Sequence, residues 1–207
     1  MGRPSNTARR REEIVSGLLR AMARRGYERT SVLEIAREAG LTPGLVHYHF
    51  STKQEILLAL VGRIGRLLEE RFRRRLARAG SAPRPRLFAW IDAHVGLGPD
   101  ADPAAMACWV AIGAEALRQS EVRKVYERAV AADMSLLRGL LRDVLRDERR
   151  SEERGVAMAA GLRAAVEGAY QLGCAAPGTI PRGSAAPMIR RMAEGLIAAE
   201  PRKRRSP

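Results

Sequence analysis

The sequence predicts an all-α fold of about nine helices, with an N-terminal three-helix helix-turn-helix domain followed by a larger helical domain. Three observations lead there. Apolar residues recur at three- and four-residue spacing, and no alternating strand pattern interrupts them. Aromatic residues make up only 4% of the chain, so the core must come from Leu, Ala, Val, Ile and Met, a composition that suits a helical bundle. The stretch Ser31 to Phe50, SVLEIAREAGLTPGLVHYHF, reads as two short helices joined by a tight turn.

The arm Met1 to Ala8 contains Gly2-Arg3-Pro4. It has two readings, an extended segment reaching into a minor groove or a disordered tail. Arg9 to Arg25 then forms a helix whose apolar face holds Ile14, Leu18, Ala21 and Met22. Gly26 ends it, and Tyr27 is placed to cover the bundle. Ser31 and Glu34 have the spacing of a capping box, and Val32, Ile35, Ala36 and Ala39 share one face of the helix that follows. Gly40 stops that helix, because the left-handed conformation needed there is cheap only for glycine. Leu41 plugs the turn, Thr42 caps the next helix, and Pro43 sits at its first position, where a missing N–H costs nothing. Leu45 or Val46, and then Phe50, pin the second helix to the first. Its exposed side is left with Thr42, Pro43, Gly44, His47, Tyr48 and His49. Gly44 costs roughly 1 kcal/mol against alanine in a helix interior, which makes sense where another backbone must come close.

Thr52 and Glu55 form a second capping box before a long helix, Lys53 to Arg78. Ile56, Leu57, Leu60, Ile64, Leu67, Leu68, Phe72 and Leu76 line one side of it. Arg63, Arg66, Arg71, Arg73, Arg74, Arg75 and Arg78 crowd the other, with Glu69 and Glu70 as local partners, and read as a solvated face. Gly80 to Arg86 reads as a loop and Leu87 to Leu97 as a helix. Asp102-Pro103 caps a helix running to about Arg118. Ser120 caps Glu121 to Asp147, Ser151 caps Glu152 to about Cys174, and Pro177 to Gly183 is loop. Ser184 starts a last helix to about Ala199, and Pro201 to Pro207 reads as a basic disordered tail.

The formal net charge is +14, which favours polyanionic partners. Lys53, Lys124 and Lys203 are the only lysines among 37 basic residues; this is a coding bias that explains arginine in place of lysine but not the basic surplus. Cys108 and Cys174 lie far apart in apolar helical settings and read as free thiols in a reducing cytoplasm. His47 and His49 are two apart on a helix and point to different sides, so no metal site is expected. No nucleophile–base pairing or phosphate loop is present, so neither an enzyme nor a cofactor is expected. No secretory signal and no apolar run long enough for a membrane span are found, and the expected location is the cytoplasm.

The run Gly26 to Leu57, GYERTSVLEIAREAGLTPGLVHYHFSTKQEIL, resembles the DNA-binding domain of the TetR family of bacterial transcriptional regulators. It carries the aromatic after the glycine, the Ala-Gly-Leu-Thr turn, the aromatic-rich end of the second helix and a Ser-Thr-Lys before the fourth. His47 stands where most of that family has tyrosine. The subgroup resembling the choline-responsive repressor of betaine synthesis tolerates that change, and whether His47 meets a phosphate or reads a base stays open.

The resemblance implies a domain division of 1–52 for the DNA-binding part and 53–200 for a ligand-binding and dimerisation part. Pro43, Gly44 and Leu45 would face base edges. Thr42, Tyr48 and Lys53 would hold phosphates, with His47 or His49 beside them. Sequence readout would lean on thymine methyls and DNA shape. Trp90, His94, Met106, Trp109, Tyr126, Met134 and Tyr170, bulky or polar groups inside apolar segments, are candidates to line a pocket for an unknown small-molecule inducer; taken singly, each also reads as core filler. Glu115 belongs to the same scatter.

The last two helices carry Val156, Ala160, Leu162, Ala165, Val166 and Ala169, then Met188, Ile189, Met192, Leu196 and Ile197. The resemblance pairs these helices with their copies in a homodimer. The expected function is a repressor released from a palindromic operator in double-stranded DNA. The alternative is a ligand-independent architectural DNA-binding protein.

Overall fold

A computed structural model describes residues 6–203. Gly2-Arg3-Pro4 and residues 204–207 lie outside the described residues. Nine helices are present among those described: α1 Asn6–Arg25, α2 Val32–Ala39, α3 Pro43–His49, α4 Lys53–Ala79, α5 Pro83–Val95, α6 Pro103–Ala116, α7 Ser120–Asp147, α8 Gly155–Ala175 and α9 Ala185–Ala199. Asn6, Thr7 and Ala8, expected in an extended arm, open α1 instead.

The chain divides into two compact units, Met1–Arg66 with Asp102–Ala129 and Leu67–Ala101 with Val130–Pro207. The division falls inside α4 and α7, because long helices contribute different turns to different cores.

In the first unit α1 packs on α2, α3 and α6. Ile14, Leu18, Ile35, Val46, Phe50, Ile56, Leu57 and Leu60 form its buried core, joined by Cys108 and Ile112 of α6. The α1–α2 approach is close at Gly17, where a Cβ would lie 2.6 Å from the Ile35 carbonyl oxygen and 3.1 Å from Ala39 Cβ. Ion pairs flank the seam: Arg20 and Arg24 of α1 reach Glu38, and Arg25 pairs with Glu34 at 2.7 Å.

In the second unit α5, α8 and α9 pack on one another. Leu87, Ile91, Leu137, Leu141, Leu145, Leu162, Val166, Ile189 and Ile197 are buried there.

Several further boundaries or exposures differ from the sequence expectation. The segment Pro83 to Arg86 is the first turn of α5, not loop, because the first N–H groups of a helix have no internal partner and proline loses nothing there. Helix α8 begins at Gly155 rather than Glu152. Arg149 adopts a left-handed conformation, and the Ser151 N–H donates to the Pro201 carbonyl at 2.9 Å, which holds the chain out of the helix. The same contacts correct the reading of Pro201 to Lys203 as disordered. Arg202 bridges Arg150, the Lys203 N–H donates to the Arg149 carbonyl at 2.7 Å, and Lys203 Nζ pairs with Glu152 at 2.8 Å. Finally, the arginines of α4 are not uniformly solvated. Arg71 is 9% exposed and donates to the Gly96 carbonyl at 2.9 Å, and Arg75 grips Asp100 with two bonds of 2.7 and 3.0 Å. In the first unit Arg63 reaches back to Glu12 at 2.9 Å.

Candidate DNA-binding surface

The site is built from caps. Ser31 accepts from the Glu34 N–H at 3.2 Å, while Glu34 accepts from the Ser31 N–H at 2.8 Å. That backbone hydrogen bond holds the Glu34 carboxyl below the usual carboxylate range. Gly40, at φ 68°, turns the chain in the left-handed region, and the Leu41 N–H closes the turn on the Ala36 carbonyl at 2.9 Å. Thr42 Oγ1 accepts from the Leu45 N–H at 3.3 Å and starts α3 with Pro43 at its first position.

Val46 and Phe50 anchor the inner side of α3; Leu45, the alternative anchor, is half-buried. The outer side holds Thr42, Pro43, Gly44, His47 and Tyr48, all exposed, with Tyr48 at 81%. Nothing lies within 4 Å of a Cβ built on Gly44, so the leading edge of α3 is open. His49 is half-buried, its ring edge-on to Tyr48 with centroids 5.1 Å apart.

Lys53 is held more tightly than the sequence indicated. Its Nζ donates to the Tyr27 carbonyl at 3.1 Å and lies 4.2 Å from the centroid of the Tyr27 ring. Burial, with nearby Glu115 and Glu28, pushes the Tyr27 phenol up to about 12, so the ammonium meets a neutral ring. One of three donors is used on the carbonyl, which leaves others for a phosphate. A pattern reading of the helix-turn-helix omits Leu33 and Arg37, both exposed on α2, and Arg11, which touches the end of α3. Leu33 was visible as an apolar residue off the Val32–Ile35–Ala39 face. Nothing local marked Arg11, because its contacts are distant in sequence.

Residues 14–60 match the family of bacterial regulatory proteins, tetR family, and residues 83–198 match the C-terminal region of the BetI-type transcriptional repressor. The second match covers more than half of the chain. The chain belongs to the TetR family. This agrees with the resemblance read from Gly26 to Leu57. The transcriptional regulator BetI of Agrobacterium fabrum is 33% identical over 129 residues, covering 60% of this chain and 61% of that protein. BetI of Rhizobium meliloti is 32% identical over 129 residues, covering 60% and 62%. The chain thus spans about three-fifths of the length of the curated relatives it matches. These relatives are regulators of transcription, not enzymes.

Two solved structures show the same fold. A transcriptional regulator from Saccharomonospora viridis in complex with choline aligns with a TM-score of 0.77 at 22% identity, covering 94% of this chain and 100% of that one. A TetR transcription regulator from Haloarcula marismortui aligns at 0.75 and 18% identity, covering 93% and 98%.

The candidate ligand residues of this TetR-family chain fall in both units. In the first, Trp109 stacks on Tyr126 with centroids 4.7 Å apart. Gly113 lies beneath that pair, where a Cβ would make an ordinary contact of 3.5 Å with the Tyr126 hydroxyl. Met106 is half-buried, and Glu115, also buried, accepts from Gln119 at 2.8 Å.

In the second unit, Trp90, His94 and Tyr170 are buried together, with Met134 half-buried. Trp90 Nε1 donates to Asp133 at 2.9 Å, and the Tyr170 hydroxyl donates to the His94 carbonyl at 3.2 Å. His94 Nε2 and Arg163 Nη1 each lie 3.3 Å from Asp133 Oδ2, close enough for strong attraction but off the line of a hydrogen bond. Burial works to raise the Asp133 carboxyl, but His94, Arg163 and Trp90 outweigh it and hold it below its ordinary value. Desolvation pushes the Tyr170 phenol up. Trp90 Nε1, His94 Nδ1 and the Tyr170 hydroxyl are thus hydrogen-bonded, while His94 Nε2 and Asp133 Oδ2 are buried without a hydrogen-bond partner.

The apolar residues of α8 and α9 separate onto two faces. Leu162, Val166, Ile189 and Ile197 point into the unit, while Val156, Ala160, Met188, Met192 and Leu196 are exposed. Gly161 and Gly195 are also exposed, and a Cβ on either would meet nothing within 4 Å. No helix among the described residues is long and apolar enough to cross a membrane.

Proposed function

We propose that this chain is a homodimeric transcriptional repressor released from a palindromic operator by a small-molecule ligand. The observation that carries the reading is the leading edge of α3, capped by Thr42 and open at Gly44, with Tyr48 standing out beside it. Pro43, Gly44 and Leu45 face base edges. Thr42, His47, Tyr48, His49 and Lys53 serve the phosphates.

Two copies are needed, because one short helix contacts too few base pairs for tight specific binding. The exposed stripe of Met188, Met192 and Leu196 beside the small residues of α8 supplies the dimer face. Release works as a population shift, with the ligand binding the DNA-incompetent state more tightly than the competent one. A quaternary ammonium such as choline is the first ligand to test. It is the molecule bound in the S. viridis neighbour, and the Trp109–Tyr126 stack offers aromatic faces of the kind that attract such cations.

Selection of bound duplexes from random DNA tests the reading. A palindrome with half-sites about one helical turn apart is expected. The basic surplus of the chain favours a second reading, a ligand-independent architectural protein. Equal affinity for the selected duplex and for mixed-sequence DNA at fixed salt would decide for it.

A further inference from the structure

The seven-residue helix α3 ends at His49, and its last carbonyls have no partner within the helix. One of them is answered from elsewhere in the chain. Arg11 of α1 donates through Nη1 to the His49 carbonyl, and its guanidinium carbon lies 3.9 Å from the centroid of the Phe50 ring. Phe50 is 2% exposed and caps the helix, so the guanidinium rests on a fixed platform.

Its two neighbours share one carboxylate. Arg9 and Arg10 both pair with Glu13, at 2.9 and 2.8 Å. Arg11 pairs with no carboxylate among the described residues, and it is exposed. A guanidinium carries five N–H donors, and the His49 carbonyl engages one of its nitrogens. The charge therefore remains available next to His49, at the end of α3 where a positive group also suits the helix dipole.

We infer that Arg11 is a positioning residue for DNA recognition: it clamps the C-terminal end of the recognition helix and, with its remaining donors, binds a backbone phosphate beside Tyr48. This rests on the DNA-binding reading above and adds a contact outside the helix-turn-helix. The clamp and the phosphate bond reinforce each other, since a phosphate that holds Arg11 also holds the orientation of α3.

The test is the salt dependence of binding by the full chain to the duplex selected from random DNA and to a mixed-sequence duplex of equal length. Arg11→Gln keeps a donor for the His49 carbonyl and removes the charge. Its log–log salt slope should be shallower than that of the unmodified protein by about one unit per bound subunit, on both duplexes. Arg11→Lys keeps the charge but loses the planar stack and fork; it should retain the slope and bind more weakly. If Arg11→Gln does not fold, Arg11→Met, an uncharged cover for Phe50, takes its place in the comparison.

An unchanged slope in the uncharged variant, with the unmodified protein binding the selected duplex in a salt-dependent way, overturns the phosphate contact and leaves the DNA-binding reading intact. An unmodified protein that binds neither duplex overturns both.

Discussion

Replacing Gly17 with alanine adds one methyl group at the tightest point between α1 and α2. A Cβ there stands 2.6 Å from the Ile35 carbonyl oxygen, and carbon and oxygen normally pack no closer than about 3.3 Å, so the backbones must part by roughly 0.7 Å. The opposing atom is backbone and cannot rotate away. Overpacking of this kind costs about 1–3 kcal/mol, and alanine returns up to about 1 kcal/mol in helix propensity. The net expectation is a loss of up to about 2 kcal/mol, which for a chain of this size lowers Tm by up to about 8 °C.

Gly44→Ala is the matched control. It makes the same chemical change on an exposed helix, with nothing within 4 Å of the new methyl, so Tm should hold or rise. Thermal unfolding followed by far-UV circular dichroism at one protein concentration separates the two. A Gly17→Ala protein as stable as Gly44→Ala would refute the close-approach argument.

Other substitutions address the surface and the charges. Gly44→Leu should leave the fold intact and weaken binding to the selected duplex by tenfold or more, a loss of at least ~1.4 kcal/mol; unchanged affinity in a gel-shift titration would mean that the groove surface lies elsewhere. Lys53→Ala should flatten the salt slope by about one unit per subunit on every sequence. It should also cost about 1 kcal/mol of stability in denaturant unfolding, because the Tyr27 carbonyl and ring lose their cation.

Asp100 is held down to about 2 from an ordinary 3.8, chiefly by the Arg75 hydrogen bonds. A depressed carboxyl stabilises the fold above its unfolded value and loses that contribution as pH falls through the folded one. Stability should therefore drop between about pH 4 and 2, and Asp100→Asn should flatten that part of an acid-unfolding curve. Met192→Glu, on the exposed stripe of α9, should shift the chain toward monomer in sedimentation velocity; an unchanged dimer would place the interface elsewhere.

Local chemistry was enough for the caps of α2 and α3. Ser31 with Glu34, Gly40, and Thr42 with Pro43 act over four residues or fewer, so their geometry could be read before any fold was known, and the structure shows each in place. The apolar faces of α1 and α2 followed in the same way from their period. Longer-range facts did not. The arginines of α4 all looked like one solvated face, yet Arg71 and Arg75 are drawn in by the Gly96–Asp100 loop, which lies 25 residues away along the chain. The residues expected to line a pocket include Trp90, His94 and Tyr170. Their polar tips are tied to Asp133 and to backbone, a pairing that their own spacing could not show.

The order of residues alone determined the helices, their punctuation and the exposed edge of α3, since capping and amphipathic period are settled by neighbours within one or two turns. Only the folded chain decided which glycine is a contact and which is open, and which arginines are engaged with carboxylates. Those outcomes depend on what a distant segment places within a few ångströms, and no local pattern encodes that distance.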